Sequence, residues 1–178
     1  MTPVLRAMDP RGTDMPTEHG APQQVTPKSL GDYLEVMSKS VFQSGISWAV
    51  VEKKWPGTRD AFSGFDAGKV AGMTERDVAR LTEDTRIIRN RRKVEGIIHN
   101  ARKLIELDDQ HGSFQKYLRS HGDFEALLKS LRKEFKFLGD MGAYHFLYVV
   151  KEKVPPYEEF CNAHGAAKVS PSPGKKTA

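Results

Sequence analysis

Seven basic residues (Arg86, Arg89, Arg91, Arg92, Lys93, Arg102 and Lys103) crowd one segment of the chain, with Glu95 the single acid among them. Such a density of cations suits a polyanion, most often nucleic acid; the same run also reads as a solvated helix face. Further on, Phe135-Lys136-Phe137-Leu138-Gly139-Asp140 joins two helical stretches. The connection is too short for anything but a tight turn, with Gly139 expected to take its unusual dihedrals. Gly142, Ala143, Tyr144, His145 and Phe146 then open a helix, whose free N–H groups and positive dipole end can hold a DNA phosphate. An ordinary helical corner is the other reading, and Asp140 supports it, because a carboxylate there caps the helix and repels phosphate. The one cysteine, Cys161, can form no internal disulfide and no Cys-rich zinc cage.

The elements that must position these residues read as helical. Thr26-Pro27 predicts a helix start with proline at the first helical position, and Leu30, Tyr33, Leu34, Met37 and Val41 share its face. Gly45 interrupts, and Ile46 to Val51 form a short apolar element holding Trp48. Trp55-Pro56-Gly57 predicts a turn, and Asp60 to Phe65 a short helix or loop. Thr74-Glu75-Arg76-Asp77 has the capping-box pattern, with Val78 and Leu81 inward. A long helix is expected from about Asn90, with Val94, Ile97, Ile98, Ala101, Leu104 and Ile105 buried. Phe114, Tyr117 and Leu118 mark a short helix ending near Gly122. Asp123 caps the next, with Phe124, Leu127, Leu128 and Leu131 inward. The stretch from about Asp140 to Val150 is nearly all apolar and therefore central to the core. No run alternates as a strand would, so the fold class is all-α. Residues 1–25, rich in Pro, Gly, Thr and charge, predict a flexible arm before a helical domain over 26–164, and residues 165–178 a flexible basic tail.

Composition narrows the function classes. A chain of 178 residues with net charge +5 has room for one domain with a core. It holds nothing near the roughly 18 consecutive apolar residues of a membrane span, and its first residues, MTPVLRAMDPRGTDMP, contain no apolar run of a secretory signal. The expectation is a cytoplasmic helical protein without a membrane partner.

Three stretches carry a family resemblance. Phe42-Gln43-Ser44-Gly45-Ile46-Ser47-Trp48, Ala61 to Asp66 with Lys69 to Val78, and Ile87-Ile88-Arg89-Asn90-Arg91-Arg92-Lys93 through Ala101-Arg102 resemble the DNA-3-methyladenine glycosylase I family. Phe135 to Phe146 resembles that family's helix–hairpin–helix, and the likeness covers roughly residues 28 to 150. The resemblance implies a helix–hairpin–helix glycosylase-like domain, divergent in its family. It would flip an alkylated purine of the 3-methyladenine type from double-stranded DNA and hydrolyse its N-glycosidic bond in base-excision repair. A base methylated at N3 is already cationic, so it leaves without a general acid; extrusion, binding and stabilisation of an oxocarbenium-like sugar remain.

Carried over residue by residue, Trp48 matches the base-stacking tryptophan, where an indole face gains cation–π energy from a cationic purine. Gln43 would read a base edge or serve as a structural or surface glutamine; Tyr144 matches a tyrosine after the hairpin that would touch the base or pack the core; His145 replaces a small residue and would face the pocket or stay a satisfied helix histidine. Gly139, Lys136, Arg89, Arg91, Arg92 and Lys93 are the expected DNA contacts. Ser40 stands where the family has a glutamate against the methylated base; a serine can hydrogen-bond but brings no negative charge. The family's structural zinc uses two Cys and two His, and His19, Cys161 and His164 are the only remnants here, so no cofactor and no metal is expected. Glu159, with Glu158 beside it, lies about as far beyond Gly139 as the catalytic aspartate of the wider superfamily, where a carboxylate stabilises an oxocarbenium ion; two acids in an exposed Pro-rich turn is the other reading. A monomer is expected. The alternative function is a catalytically inactive, glycosylase-fold DNA-binding module; a helical interaction domain without DNA affinity leaves the basic run unexplained.

Overall fold

The computed structural model describes residues 21–165, and within them the chain is helical with no strand. The helices are α1 (Leu30–Gln43), α2 (Trp48–Ala61), α3 (Ala67–Ala71), α4 (Glu75–Glu83), α5 (Arg91–His111), α6 (Phe114–Arg119), α7 (Phe124–Glu134), α8 (Asp140–Val149) and α9 (Tyr157–His164), with a 3-10 turn at Ser63–Phe65 before α3. Residues 1–20 and 166–178, which hold most of the two expected arms, lie outside the described residues.

Several helices start where a side chain can take up a free backbone N–H. Asn90 opens α5 by accepting from Lys93 N at 3.2 Å, and Asp123 opens α7 by accepting from Ala126 N at 2.8 Å. Thr74 and Asp77 form the expected capping box of α4. The first helix begins later than Thr26-Pro27 suggests. Ser29 caps it, because Asp32 reaches back to the backbone N–H of Ser29 at 3.1 Å and of Lys28 at 2.7 Å. The stretch before α1 is fixed to the end of α8 instead, with Val25 N donating to Val149 O at 2.7 Å.

Trp55-Pro56-Gly57 is not a turn; it lies inside α2. Proline forfeits one helical hydrogen bond, and tertiary packing offsets the loss. Trp55 stacks on Phe65 at 5.4 Å between ring centroids and meets Phe42 edge-on. Gly57 lets α2 pass so close to the loop after α4 that a Cβ there would fall 2.7 Å from Arg86 Cβ.

The long helix α5 is the hub, packed by α1, α3, α4 and α6, while α8 lies between α1 and α7. Phe42, Phe62, Phe65, Phe114, Phe146 and Phe160 are fully buried in one continuous core, each worth about 2–3 kcal/mol in removal from water. The expected Pro-rich turn after α8 is followed by a helix, α9, which docks by stacking Phe160 on Tyr144 at 4.3 Å and presenting it edge-on to Phe124. None of the described helices is long and apolar enough to cross a membrane.

Candidate active site

The end of α1 and the start of α2 bring Ser40 and Trp48 against His145 of α8. Ser40 and Gln43 lie one turn apart at the end of α1, both buried. Gly45, at φ +81°, reverses the chain in a left-handed conformation that suits glycine, and Trp48 begins α2 three residues later. Ser40 Oγ lies 3.1 Å from His145 Nδ1, and the Trp48 indole meets the His145 ring edge to face at 5.0 Å. Trp48 is only partly buried and stands outside the core cluster that takes in Trp55. It therefore keeps ring surface for a ligand.

This site has buried polar atoms without partners. Gln43 is 6% exposed, and neither its amide oxygen nor its nitrogen has a hydrogen-bond partner among the described residues; the same holds for Nε2 of His145, which is 7% exposed. An unsatisfied buried amide costs about 1–3 kcal/mol, so three such atoms around a half-open indole are what a binding site for a polar ring would present. Burial, with the Lys39 cation adding to it, holds the His145 imidazolium down at about 4, so the ring is neutral near pH 7.

Lys93 was expected on the DNA and is found elsewhere. It is buried, and its ammonium donates to Ser44 O at 2.5 Å and lies 3.5 Å from Phe42 O. There it holds the backbone on either side of Gln43 and sits at the negative end of α1; burial pushes its pKa down. The other cations of the run separate into two groups. Arg91 pairs with Glu75 and Glu95, Arg86 with Asp84, and Lys103 with Glu106 and Glu134, while Arg102 donates to Ala71 O and Met73 O. Arg89 and Arg92 are exposed and have no carboxylate partner among the described residues. They, not the whole run, are the cations free to meet phosphate.

The hairpin differs from expectation in detail. Gly139 has ordinary extended dihedrals, φ −79° and ψ −175°, as the N-cap of α8; the positive φ falls on Phe137, at +56°. Asn100 of α5 holds the turn with two hydrogen bonds, accepting from Lys136 N at 2.7 Å and donating to Lys136 O at 3.1 Å. The Phe137 ring lies against Gly96, where a Cβ would come within 2.7 Å of it, and 6.0 Å from the Arg92 guanidinium. The exposed Lys136 side chain and Arg92 thus share one surface with the tip of the hairpin. Asp140, in the first turn of α8, is matched by Arg132 at 2.9 Å. Gly96 and Asn100 belong to the family-like run and Phe137 to the hairpin, but nothing local in the sequence shows that Gly96 and Asn100 face a turn 36 residues beyond Asn100.

For Tyr144 and the acid pair the structure takes the packed and the exposed reading, not base contact. Tyr144 is not turned to the pocket: its hydroxyl donates to Pro155 O at 2.8 Å and its ring stacks on Phe160. Glu158 and Glu159 are exposed in the first turn of α9, without a hydrogen-bond or ion-pair partner among the described residues. Adjacent residues on a helix point about 100° apart, so α8 turns Tyr144 toward α9 and His145 toward α1. Neither carboxylate makes a hydrogen bond or ion pair with Ser40, Gln43, Trp48 or His145 among the described residues, and their placement suits the positive end of the α9 dipole.

The family signature covers Ser40, Gln43 and Trp48 together with the basic run of α5. A methyladenine glycosylase model matches residues 25–136. The chain belongs to the methyladenine glycosylase family. It is 35% identical over 126 residues to DNA-3-methyladenine glycosylase 1 of Escherichia coli (strain K12), spanning 59% of this chain and 67% of that one. Its identity to the DNA-3-methyladenine glycosylase of Haemophilus influenzae is 29%, over 59% of this chain and 68% of the relative. Among solved structures, 3-methyladenine DNA glycosylase I from Staphylococcus aureus superposes with a TM-score of 0.64 at 28% identity, covering 72% of this chain and 79% of that one. A variant of a 3-methyladenine DNA glycosylase I solved with 3-methyladenine also gives 0.64, covering 72% and 80%. The all-helical glycosylase fold of the family is thus the fold seen here. The family match ends at residue 136, so α8 and His145 lie beyond it.

The zinc site of the family finds no donor set among the described residues. Cys161 is the chain's one cysteine, and His164 has its ring nitrogens 2.8 Å from Glu125 and 3.6 Å from Asp140. His19 lies outside the described residues. A site of two Cys and two His cannot be assembled from one thiol, and no step of the chemistry is assigned to a metal.

Proposed function

We propose that this chain is a DNA glycosylase of base-excision repair that hydrolyses the N-glycosidic bond of alkylated purines, chiefly of the 3-methyladenine type. Arg89, Arg92 and Lys136 meet the phosphates of double-stranded DNA, and the damaged nucleotide rotates out of the stack into the site between α1, α2 and α8. Trp48 stacks on the purine, Gln43 hydrogen-bonds its edge, and Ser40 acts through His145. The C1′–N9 bond breaks with its electron pair passing to the base, which neutralises the cationic purine. Water adds at C1′ and loses a proton to solvent, leaving free base and an abasic site. No general acid is needed for so good a leaving group, in keeping with a pocket whose one described titratable ring is neutral. The enzyme acts as a monomer, without cofactor or metal, in the cytoplasm.

The observation that carries this reading is the partly open Trp48 set against the His145 ring, whose buried Nε2 has no partner among the described residues. The test is release of free base from methylated duplex DNA, read by chromatography of the small-molecule fraction, for the wild type and Trp48→Ala. Release that falls at least tenfold in the variant, with DNA affinity nearly kept, is expected. Salt-sensitive DNA binding with no release of any methylated purine by the wild type would overturn it in favour of a non-catalytic DNA-binding module, the reading that Ser40 in place of a glutamate favours.

A further inference from the structure

Ser40 has one proton and two neighbours that can receive it. Its Oγ–H donates to Val36 O, one turn back on α1, at 3.4 Å, and the same Oγ lies 3.1 Å from His145 Nδ1. Both contacts are hydrogen bonds only if Nδ1 carries the imidazole proton and donates to Ser40 Oγ. If instead Ser40 donates to Nδ1, the bond to Val36 O is forfeited. Back-bonding of serine to the carbonyl four residues earlier is a common habit of helical serines, and here it favours the His145 tautomer that carries its proton on Nδ1. Nε2 is then a bare lone pair, buried, unpartnered among the described residues, and carried on the ring that meets the edge of Trp48.

We propose that His145 is a specificity-determining residue that reads the extruded purine through Nε2, and that it selects a base presenting an N–H donor at position 6 over one presenting an oxygen there. The inference rests on the glycosylase reading above. Gln43 cannot make this choice by itself, because its amide can turn to offer either oxygen or nitrogen. His145 can, because its proton is held on the far side of the ring. A 6-amino purine such as 3-methyladenine donates to Nε2. A 6-oxo purine such as 3-methylguanine sets a carbonyl oxygen against the lone pair, and a buried mismatch of that kind discriminates more strongly than a lost methyl contact. Ser40 is the positioning residue: it touches no base and acts by setting the tautomer. The pocket thus distinguishes adenine-type from guanine-type lesions without a carboxylate.

The experiment follows release of 3-methyladenine and 3-methylguanine from one methylated duplex DNA, beside the ¹⁵N spectrum of histidine-labelled protein titrated with free 3-methyladenine. His145→Leu should lower the ratio of 3-methyladenine to 3-methylguanine release about tenfold. His145→Gln, whose amide can turn to offer either oxygen or nitrogen, should keep release of both bases but lose most of the ratio, and Ser40→Ala should reduce it. The wild-type spectrum should show His145 Nε2 unprotonated and shifted on addition of 3-methyladenine, a readout that needs no turnover and no variant to fold. Release of 3-methyladenine with an unchanged ratio in His145→Leu, or a protonated Nε2, would overturn the assignment and leave the glycosylase reading standing. Neither release nor binding of 3-methyladenine by the wild type would overturn both.

Discussion

Acid should destabilise this protein through one buried ring, and the size of the effect can be worked out. His145 is 7% exposed, and its conjugate acid is held down at about 4 against an ordinary value of 6.5. Below pH 6.5 the unfolded chain takes up a proton that the folded chain refuses, so stability present above that pH is lost as pH falls toward 4. A difference of this size corresponds to about 3 kcal/mol when fully expressed, and to about 2 kcal/mol between pH 7 and pH 5. The perturbation is His145→Gln, and the assay is urea unfolding of wild type and variant at pH 7, 6 and 5 at one ionic strength. The two proteins differ at position 145 alone, so contributions common to both cancel in the difference. The wild type should lose about 2 kcal/mol relative to the variant over that range, a shift in urea midpoint on the order of 1 M. Parallel stability curves from pH 7 to 5 would refute the reasoning, since they would mean that folding leaves the proton affinity of His145 unchanged.

Arg89→Ala and Arg92→Ala should each flatten the slope of log affinity against log salt for duplex DNA by nearly one, whereas Arg91→Ala, which removes a cation already paired with Glu75 and Glu95, should change it much less. Lys93→Met leaves Phe42 O and Ser44 O without their donor; it should cost about 1–2 kcal/mol in thermal or urea unfolding and impair base release more than DNA binding, as judged by single-turnover release against a filter-binding titration. Gly96→Ala places a Cβ into the Phe137 ring, so DNA affinity should fall as the hairpin shifts, with a smaller change in melting temperature because that ring is already partly exposed.

Helices that carry their own start signals and apolar stripe are legible in the chain of residues alone. Asn90, Asp123 and the Thr74–Asp77 pair cap α5, α7 and α4 as their types require, and the stripe from Val94 to Leu104 faces the core because the 3.6-residue period leaves it no other face. The motif from Phe42 to Trp48 and the basic run were equally legible, because family likeness resides in residue identity. What those residues touch depends on how the helices pack. Pro56 reads as a breaker until Trp55 is seen stacked on Phe65, and α9 is too short to announce itself without Phe160 seated on Tyr144. Seven cations look alike in a list of letters. Lys93 is separated from Arg92 only by the direction in which each leaves α5, one toward the end of α1 and the other toward the hairpin. The same holds for Tyr144 and His145, adjacent in sequence and a third of a turn apart on α8, so that one anchors α9 while the other faces Ser40 and Trp48. Local pattern specifies where a helix runs; which neighbour meets each of its faces depends on contacts between segments far apart in the chain, and the chemistry of the site lies in those contacts.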